Sequence, residues 1–202
     1  MLFSESYQTL ACPGEGIYKE KGSKFLGFAF PVTTEEEVKL HLRELRKIHS
    51  SAGHHCYAYR LGPDKSAFRY NDDGEPANTG GKPIYGQILS NDLTNVMVVV
   101  VRYFGGILLG VGGLINAYRS AAADAIAHST IITNQIQEEY KLRFDFIQQS
   151  AVMNLLKSLS AKITDQNYTD LAEIRFQIEK NKSDQLLLAC KQLGQLQYIR
   201  TF

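Results

Sequence analysis

The 202 residues are enough for one large domain or two small ones, and 44% hydrophobic with 21% charged residues is typical of a folded globular chain. With 22 basic and 21 acidic residues, the net charge of +1 excludes a protein that holds nucleic acid by bulk positive charge. The cysteines Cys12, Cys56 and Cys190 are odd in number and far apart, which argues against a disulfide framework or a zinc ribbon and favours a reducing cytoplasm.

The N-terminus and the hydropathy pattern predict a cytoplasmic protein without membrane contact. Glu5 lies where a secretion signal has a cationic start and a long apolar stretch. The longest aliphatic run, Val96 to Val101, has six residues, far below the ~20 that span a bilayer. We therefore expect neither secretion nor membrane insertion.

The first fifty residues predict a hairpin followed by a helix. Residues 17–32 place aromatic and β-branched side chains on both sides of a turn signal at Gly22, which is typical of a hairpin. Thr33 or Thr34 then caps an amphipathic helix that runs to Ser50, because three glutamates follow at once and apolar residues recur at helical spacing.

The middle of the chain predicts short strands, a long connection and a second helix. Strands are expected at residues 56–62 and 66–70, before a Gly- and Pro-rich connection over residues 71–89 that runs into a short helix or turn. The apolar run over residues 96–104 is typical of a strand buried on both faces. An Ala-rich helix is expected over residues 114–128, after five closely spaced glycines.

The pattern changes near Asn134, where we place a domain boundary between residues 1–134 and 135–202. The second part predicts strand, helix, strand, strand, helix, strand, which is the ferredoxin-like βαββαβ order. Residues 165–170 are its expected hairpin connection. The predicted fold class is α+β, and the even division of charge between the two parts makes neither a polybasic module.

The glycine-rich segment runs from the predicted buried strand into the Ala-rich helix, an arrangement that presents free backbone N–H groups to an anion. The Walker and dinucleotide-binding spacings are both absent. Two interpretations stay open, close packing of backbone and contact with an anion or polynucleotide. The glycines concerned are Gly105, Gly106, Gly110, Gly112 and Gly113.

The acidic connection brings three acids close together in sequence, Asp72, Asp73 and Glu75, with Thr79 and Lys82 after them. Three acids in four positions suit a divalent cation, but the calcium-loop spacing is absent. Asp-Gly and Glu-Pro also form turns on their own. We favour a structured surface loop with a functional face over a metal site.

The sequence His54-His55-Cys56 has potential metal ligands on a predicted strand, with Tyr57 next to them. Adjacent strand residues point to opposite faces, so only His54 and Cys56 share one, and zinc needs four ligands. A nucleophilic cysteine needs a nearby histidine and a lowered thiol pKa. We favour a polar site or histidines satisfied in the core over metal or nucleophilic chemistry.

Aromatic and basic residues alternate through the first domain, a composition that suits single-stranded or looped RNA. We expect about half of them to fill the core instead, because alternate strand residues point inward. The set comprises Tyr57, Tyr59, Arg60, Phe68, Arg69, Tyr70, Arg102, Tyr103, Tyr118 and Arg119.

Four motifs, in the same order along the chain, resemble those of the IMPACT family, and the resemblance covers nearly the whole sequence. They are GSKFLG at residues 22–27, HHCYAYRLG at 54–62, DDGEP with TGGKP at 72–83, and VVVRYFGGILLGVGGLINAY at 99–118. The resemblance implies an N-terminal domain like the second domain of ribosomal protein S5. It also implies a ferredoxin-like C-terminal domain similar to the last domain of elongation factor G.

The resemblance implies a link to translation, since eukaryotic members act in translational control through an added domain. No segment of this sequence corresponds to that domain, so their kinase-pathway role is not expected here. Ala77 and Asn78 replace the Ser-Gly of the acidic motif, and Ile107 and Leu108 stand where some relatives have Thr and Lys. The missing lysine weakens a phosphate-binding interpretation of the glycine segment.

We expect a translation-associated regulatory protein that binds RNA or the ribosome. The first alternative is an enzyme or binding protein for a phosphorylated small molecule or nucleotide at the glycine segment. The second is a protein-interaction module that uses the sheet face of the C-terminal domain. We assign no catalytic residue and expect neither a metal ion nor a cofactor.

The predicted binding cleft lies in the first domain, because polar residues dense in loops beside a buried strand indicate a site. Arg102 and Arg119 are expected to bracket the glycine segment and meet phosphates. The cleft residues are His54, Asp73, Glu75, Lys82, Arg102 and Tyr103, and the wider set adds His55, Tyr57, Thr79, Arg119 and the five glycines.

Overall fold

The strands and helices follow the predicted order along most of the chain. The computed structural model describes residues 5–169, 171–194 and 197–201. Its strands are β1 (Ser6–Leu10), β2 (Gly14–Glu20), β3 (Ser23–Pro31), β4 (His54–Leu61), β5 (Ala67–Asn71), β6 (Val96–Tyr103), β7 (Ile131–Gln135), β8 (Gln137–Phe144), β9 (Lys162–Tyr168), β10 (Ala172–Glu179) and β11 (Gln197–Thr201). Its helices are α1 (Glu35–Ile48), α2 (Gly81–Ser90), α3 (Gly110–Ala127), α4 (Gln149–Ser158) and α5 (Ser183–Leu193).

Contacts between residues group the chain into two compact units. One is formed by Tyr7–Asn134, and the other by the chain from Gln135 onward with residues 5 and 6. Strands β1 and β7, which lie almost entirely in the first of these units, pair as a two-stranded sheet. None of the helices within the described ranges combines the length and apolar character needed to cross a membrane.

The first unit is built on a five-stranded antiparallel sheet in the order β2-β3-β6-β4-β5. Its central strand, β6, alternates side chains between two separate apolar clusters. Val96, Val98 and Val100 pack with α2 and α3, whereas Met97, Val99 and Val101 pack with α1 on the other face. The prediction of a strand buried on both faces is therefore confirmed.

Local sequence signals set the hairpin and the first helix as predicted. Strands β2 and β3 pair in antiparallel register, and the turn between them contains Gly22, whose φ is +78°. Thr34 is the N-cap of α1, and its hydroxyl accepts a 3.2 Å hydrogen bond from the Glu37 amide. The Glu37 side chain reaches back to the Thr34 backbone, which completes a capping box.

Helix α3 begins at Gly110, four residues earlier than residue 114, where the sequence predicts its start. Gly112 and Gly113 are therefore helical, and the loop that precedes the helix is shorter than expected. Buried Leu109 and Leu114 hold this first turn against the core, which offsets the ~1 kcal/mol that each glycine costs in a helix. Tertiary packing thus overrides local propensity here.

The second unit has the predicted ferredoxin-like topology. Its four-stranded antiparallel sheet runs in the order β11-β8-β10-β9, and α4 and α5 follow β8 and β10 along the chain. The expected hairpin connection over residues 165–170 is wrong for its first four residues, because β9 extends to Tyr168, which pairs with Ala172. Backbone pairing with β10 outweighs the turn tendency of Asp and Asn, and residue 170 lies outside the described residues.

Candidate functional site

The acidic connection between β5 and α2 folds around its own first carboxylate. Asp72 Oδ1 accepts hydrogen bonds from the amides of Gly80 and Gly81 at 2.9 and 2.8 Å, and Oδ2 accepts one from the Asn78 amide. The Gly80 and Gly81 amides lie at the start of α2, where an anion is most stable. Asp72 itself occupies that position, so it is not an open phosphate site.

The second carboxylate ties this connection to α1 and β4. Asp73 Oδ1 accepts a 2.8 Å bond from Arg46 Nη2, and Oδ2 accepts a 2.7 Å bond from the His55 amide. His54 Nδ1 lies 2.9 Å from the Asp73 carbonyl oxygen. Asp73 has a φ of +43°, a left-handed conformation that aspartate tolerates better than most residues. This backbone turn is what lets one residue contact both histidines.

The third carboxylate, Glu75, is buried and pairs with β6 and α3. Its Oε1 accepts hydrogen bonds from Arg102 Nη1 at 2.6 Å and from the Tyr118 hydroxyl at 2.7 Å. The Arg102 guanidinium lies between the rings of Phe25 and Phe104, at 5.4 and 5.5 Å from their centroids. Burial raises the pKa of Tyr118, so its hydroxyl stays protonated and donates to Glu75.

The three acids therefore bind three different sets of protein donors. Within the described ranges, no three His, Cys, Asp or Glu side chains form a cluster that could hold a metal ion. Cys56 is buried, and burial raises the pKa of its thiol, which donates to the Asp72 carbonyl oxygen at 3.0 Å. A protonated, inert thiol is unsuited to nucleophilic attack.

A cavity of about 460 Å³ lies where the acidic connection meets the glycine segment. Strand register brings them together, because His54 on β4 is paired directly with Arg102 on β6. His54 Nε2 lies 3.9 Å from Glu75 Oε1 at the cavity wall. The lining residues are His54, Glu75, Pro76, Arg102, Phe104, Leu108, Leu109, Gly110, Val111 and Leu114.

Four members of the predicted site, His54, Glu75, Arg102 and Gly110, line this cavity together. The expectation that Tyr103 shares the same cleft is wrong. Its hydroxyl lies 2.9 Å from Nδ1 of His49, and its ring packs with the apolar cluster on the α1 face of the sheet. Tyr103 follows Arg102 on β6, and successive strand residues point to opposite faces.

The same alternation takes His55 and Tyr57 away from the cavity. His55 is buried, and burial lowers its pKa, while Tyr57 belongs to the apolar cluster on the α1 face. Asp73 contacts both histidines, since its carbonyl oxygen meets His54 Nδ1 and its carboxylate accepts from the His55 amide. Thr79 is buried as well, and its hydroxyl donates to the Pro76 carbonyl oxygen at 2.6 Å. The cavity is not lined by His55, Tyr57, Asp73 or Thr79.

The glycines serve different purposes. Gly105 is a packing position, since its amide donates to Ser23 Oγ at 3.1 Å and an added Cβ would collide with the backbone at Gly22 and Ser23. Gly106 and Gly110 have φ of +87° and +70°, which glycine adopts without strain. Gly112 and Gly113 lie in the first turn of α3.

The expectation that Arg102 and Arg119 bracket the glycine segment and meet phosphates is wrong for Arg102. Its side chain is only 6% exposed and its charge is compensated by Glu75. Arg119 is exposed on α3, and its Nη2 donates to Asn116 Oδ1 at 2.8 Å. Lys82 is exposed at the start of α2 and does not line the cavity.

The alternating aromatic residues separate into core and surface. Tyr57, Tyr59 and Tyr118 are buried, whereas Phe68 and Tyr70 on β5 are 52% and 38% exposed. Both exposed rings stack against Tyr85 of α2, with centroids at 5.0 Å from Phe68 and 5.9 Å from Tyr70. We call Phe68, Tyr70 and Tyr85 the aromatic stack.

Sequence analysis does not identify several residues that contact the acidic connection or line the cavity. Tyr118 and Arg46 complete the contacts of Glu75 and Asp73, and Leu108 and Val111 line the cavity mouth. In the sequence, Tyr118 is distinguished only as one member of the alternating aromatic and basic series. The Glu-Pro sequence at Glu75 gave no sign of a buried acid, because the partners lie 27 and 43 residues away.

The protein is thus a two-unit α+β chain whose first unit encloses a cavity between an acidic connection and a glycine segment. Residues 21–126 of that unit match the family model described as the Impact N-terminal domain. The chain belongs to the IMPACT family, as its four motifs predict.

Individual relatives extend the match over both units. The IMPACT family member YigZ of Escherichia coli (strain K12) is 34% identical over 173 residues, which cover 85% of each chain. The IMPACT family member YvyE of Bacillus subtilis (strain 168) is 29% identical over 89% of this chain and 82% of its own. A solved structure described as a crystal structure of an hypothetical protein has a TM-score of 0.78 and 31% identity over 98% of both chains.

Proposed function

We propose that this IMPACT family member is a translation-associated regulatory protein that binds single-stranded RNA, free or within the ribosome, at the aromatic stack. The observation that carries the proposal is the exposure of Phe68 and Tyr70, which are 52% and 38% accessible although both stack on Tyr85. Open aromatic faces are the platforms on which unstacked bases lie, because every base presents a π-face.

The position of the stack supports access by a flexible strand. β5 is the edge strand of its sheet, so nothing pairs with its outer side within the described residues. Lys82 lies three residues before Tyr85, on the same face of α2, and is exposed. One cation beside three rings favours binding that depends more on stacking than on phosphate contacts.

The other predicted contact is less suited to RNA. Arg102 at the glycine segment is buried against Glu75, and the first amides of α2 are occupied by Asp72. A phosphate would have to displace a carboxylate at either place, at a cost that grows with burial. The same reasoning disfavours a phosphorylated small molecule at the glycine segment.

Replacement of Phe68 by alanine tests the proposal. Base stacking on an aromatic ring contributes about 1–3 kcal/mol, so Phe68→Ala should weaken binding of an unstructured RNA about 5- to 150-fold. The ring is half exposed, so its loss should leave the fold intact. The measurement is fluorescence anisotropy of a labelled RNA octamer.

Phe146 offers a matched control in the second unit. Its ring is 48% exposed and stacks on Tyr168 with centroids 6.4 Å apart, much as Phe68 does on Tyr85. Phe146→Ala should leave RNA affinity unchanged. Equal affinities of wild type and both variants, or no binding by wild type, would remove the aromatic stack as the RNA contact.

The open sheet face of the second unit remains our prediction for a protein partner. Lys141 and Arg143 of β8 both pair with Glu173 of β10 on this face, at 2.6 and 2.7 Å. A charged sheet face favours a polar partner over an apolar one.

A further inference from the structure

The cavity of the first unit presents a hydrogen-bond acceptor, His54 Nε2, beside a buried carboxylate. Since the Asp73 carbonyl oxygen only accepts, the 2.9 Å contact with His54 Nδ1 fixes the proton of the neutral ring on Nδ1. Nε2 then carries a lone pair at the cavity wall, 3.9 Å from the Glu75 carboxylate. A ligand there must donate hydrogen bonds.

The charge balance selects a neutral donor. Glu75 is 3% exposed and its negative charge is already compensated by Arg102, which is 6% exposed. An ammonium group would add an uncompensated charge to this buried pair, which is costly away from water. A neutral N–H group satisfies His54 Nε2 without that cost.

The remaining walls suit a flat apolar body. Phe104, Leu108 and Val111 are 57%, 82% and 60% exposed around the opening, and Leu114 lies deeper and is buried. The volume of about 460 Å³ is within the range of small-ligand pockets. A planar ring that carries a neutral amino group at its edge fits both the polar and the apolar parts.

We propose that this cavity binds one nucleobase through its amino group, which donates to His54 Nε2. Glu75 Oε1 lies 3.9 Å from Nε2 and already accepts from Arg102 and Tyr118, so His54 is the acceptor that the amino group satisfies. The base comes from a free nucleoside or from an unstacked position in RNA. In the second case the inference rests on the proposed function and deepens it; in the first it stands alone.

A pair of nucleosides that differ only in the amino group provides the test. Adenosine carries the group, and purine riboside is the same molecule without it. Adenosine should bind at least about fivefold more tightly, because loss of one hydrogen bond at a buried acceptor costs about that factor. The measurement is a titration of the ¹⁵N-labelled full chain by NMR, with shifts expected at His54 Nε2 and at the amides of residues 108–111.

His54→Asn is the informative variant, because its amide nitrogen still reaches the Asp73 carbonyl oxygen while the Nε2 acceptor is gone. It should lower adenosine affinity to that of purine riboside and leave purine riboside unaffected. Leu108→Asp should weaken binding because it replaces apolar wall surface by a hydrated charge. Ile107→Asp is its matched control, since Ile107 is 55% exposed but does not line the cavity.

An adenosine octamer of RNA separates the two sources. If His54→Asn weakens binding of the octamer, the base that enters the cavity comes from RNA. If Phe68→Ala leaves the affinity for free adenosine unchanged, the cavity and the aromatic stack are separate contacts. If free adenosine binds in a His54-dependent way and the octamer does not, the ligand is a small molecule and only the RNA proposal fails. Equal affinity for adenosine and purine riboside, or no His54-dependent binding of nucleoside or octamer, would overturn the inference.

Discussion

Replacing Glu75 by a neutral residue should destabilise the first unit strongly, although Glu75 lies in a connection and not in a strand or helix. Glu75→Gln keeps the shape of the side chain but removes the charge that compensates Arg102. Arg102 Nη1 donates to Glu75 at 2.6 Å, the two side chains are 6% and 3% exposed, and Arg102 Nε has no hydrogen-bond partner in the described chain. Breaking one side of a buried pair costs about 3–5 kcal/mol.

The lower end of that range applies here, because the glutamine oxygen can still accept a hydrogen bond and the Phe25 and Phe104 rings still flank the guanidinium. We therefore expect a loss of about 3 kcal/mol, or about a 150-fold rise in the unfolded fraction of the first unit. Tyr118→Phe removes only the 2.7 Å hydroxyl bond to the same oxygen and should cost about 1.5 kcal/mol.

Native-state hydrogen exchange measures this directly, because the buried β6 amides exchange only when the first unit unfolds. The β10 amides of the second unit provide an internal reference. Combining Glu75→Gln with Arg102→Met should recover much of the loss, since replacing both ions of a buried pair by neutral groups is often nearly neutral. A change below about 1 kcal/mol for Glu75→Gln, or no recovery in the double variant, would refute the assignment of this pair as a buried, mutually compensated site.

Three further predictions follow from the same structure. Gly105→Ala should destabilise the first unit by about 1–3 kcal/mol because its Cβ meets the backbone of the β2–β3 turn. Gly112→Ala, whose Cβ would have nothing within 4 Å, should stabilise α3 by about 0.5–1 kcal/mol. Urea unfolding measures both changes, and equal effects would contradict the packing role of Gly105. Burial lowers the pKa of His55 from 6.5, so the folded state disfavours the charged imidazole. The free energy of unfolding should therefore be fully retained above about pH 6.5 and fall below it. His55→Asn should reduce the change of the urea midpoint between pH 7 and 5, and an unchanged pH dependence would refute this. Lys82→Ala should reduce the salt slope of RNA binding by about 0.7, and a reduction near two would indicate a wider phosphate contact than the aromatic stack provides.

Local signals in the sequence were sufficient for most of the architecture. The Thr34 to Glu37 capping box, the apolar run of β6 and the ferredoxin-like order of the second unit are each encoded by residues close together in the chain. Their hydrogen bonds and burial patterns repeat with the period of the helix or strand, so the sequence determines them without knowledge of distant contacts.

Tertiary structure alone decided the site. The sequence placed Arg102 and Tyr103 in one cleft, but strand alternation separates them, and only the order β6-β4-β5 sets His54 opposite Arg102. The burial of Glu75 depends on Arg102 and Tyr118, which reach it from another strand and another helix. The energy of such a polar cluster comes from partners distant in sequence and from the low dielectric around them, and neither has a local signature in the chain.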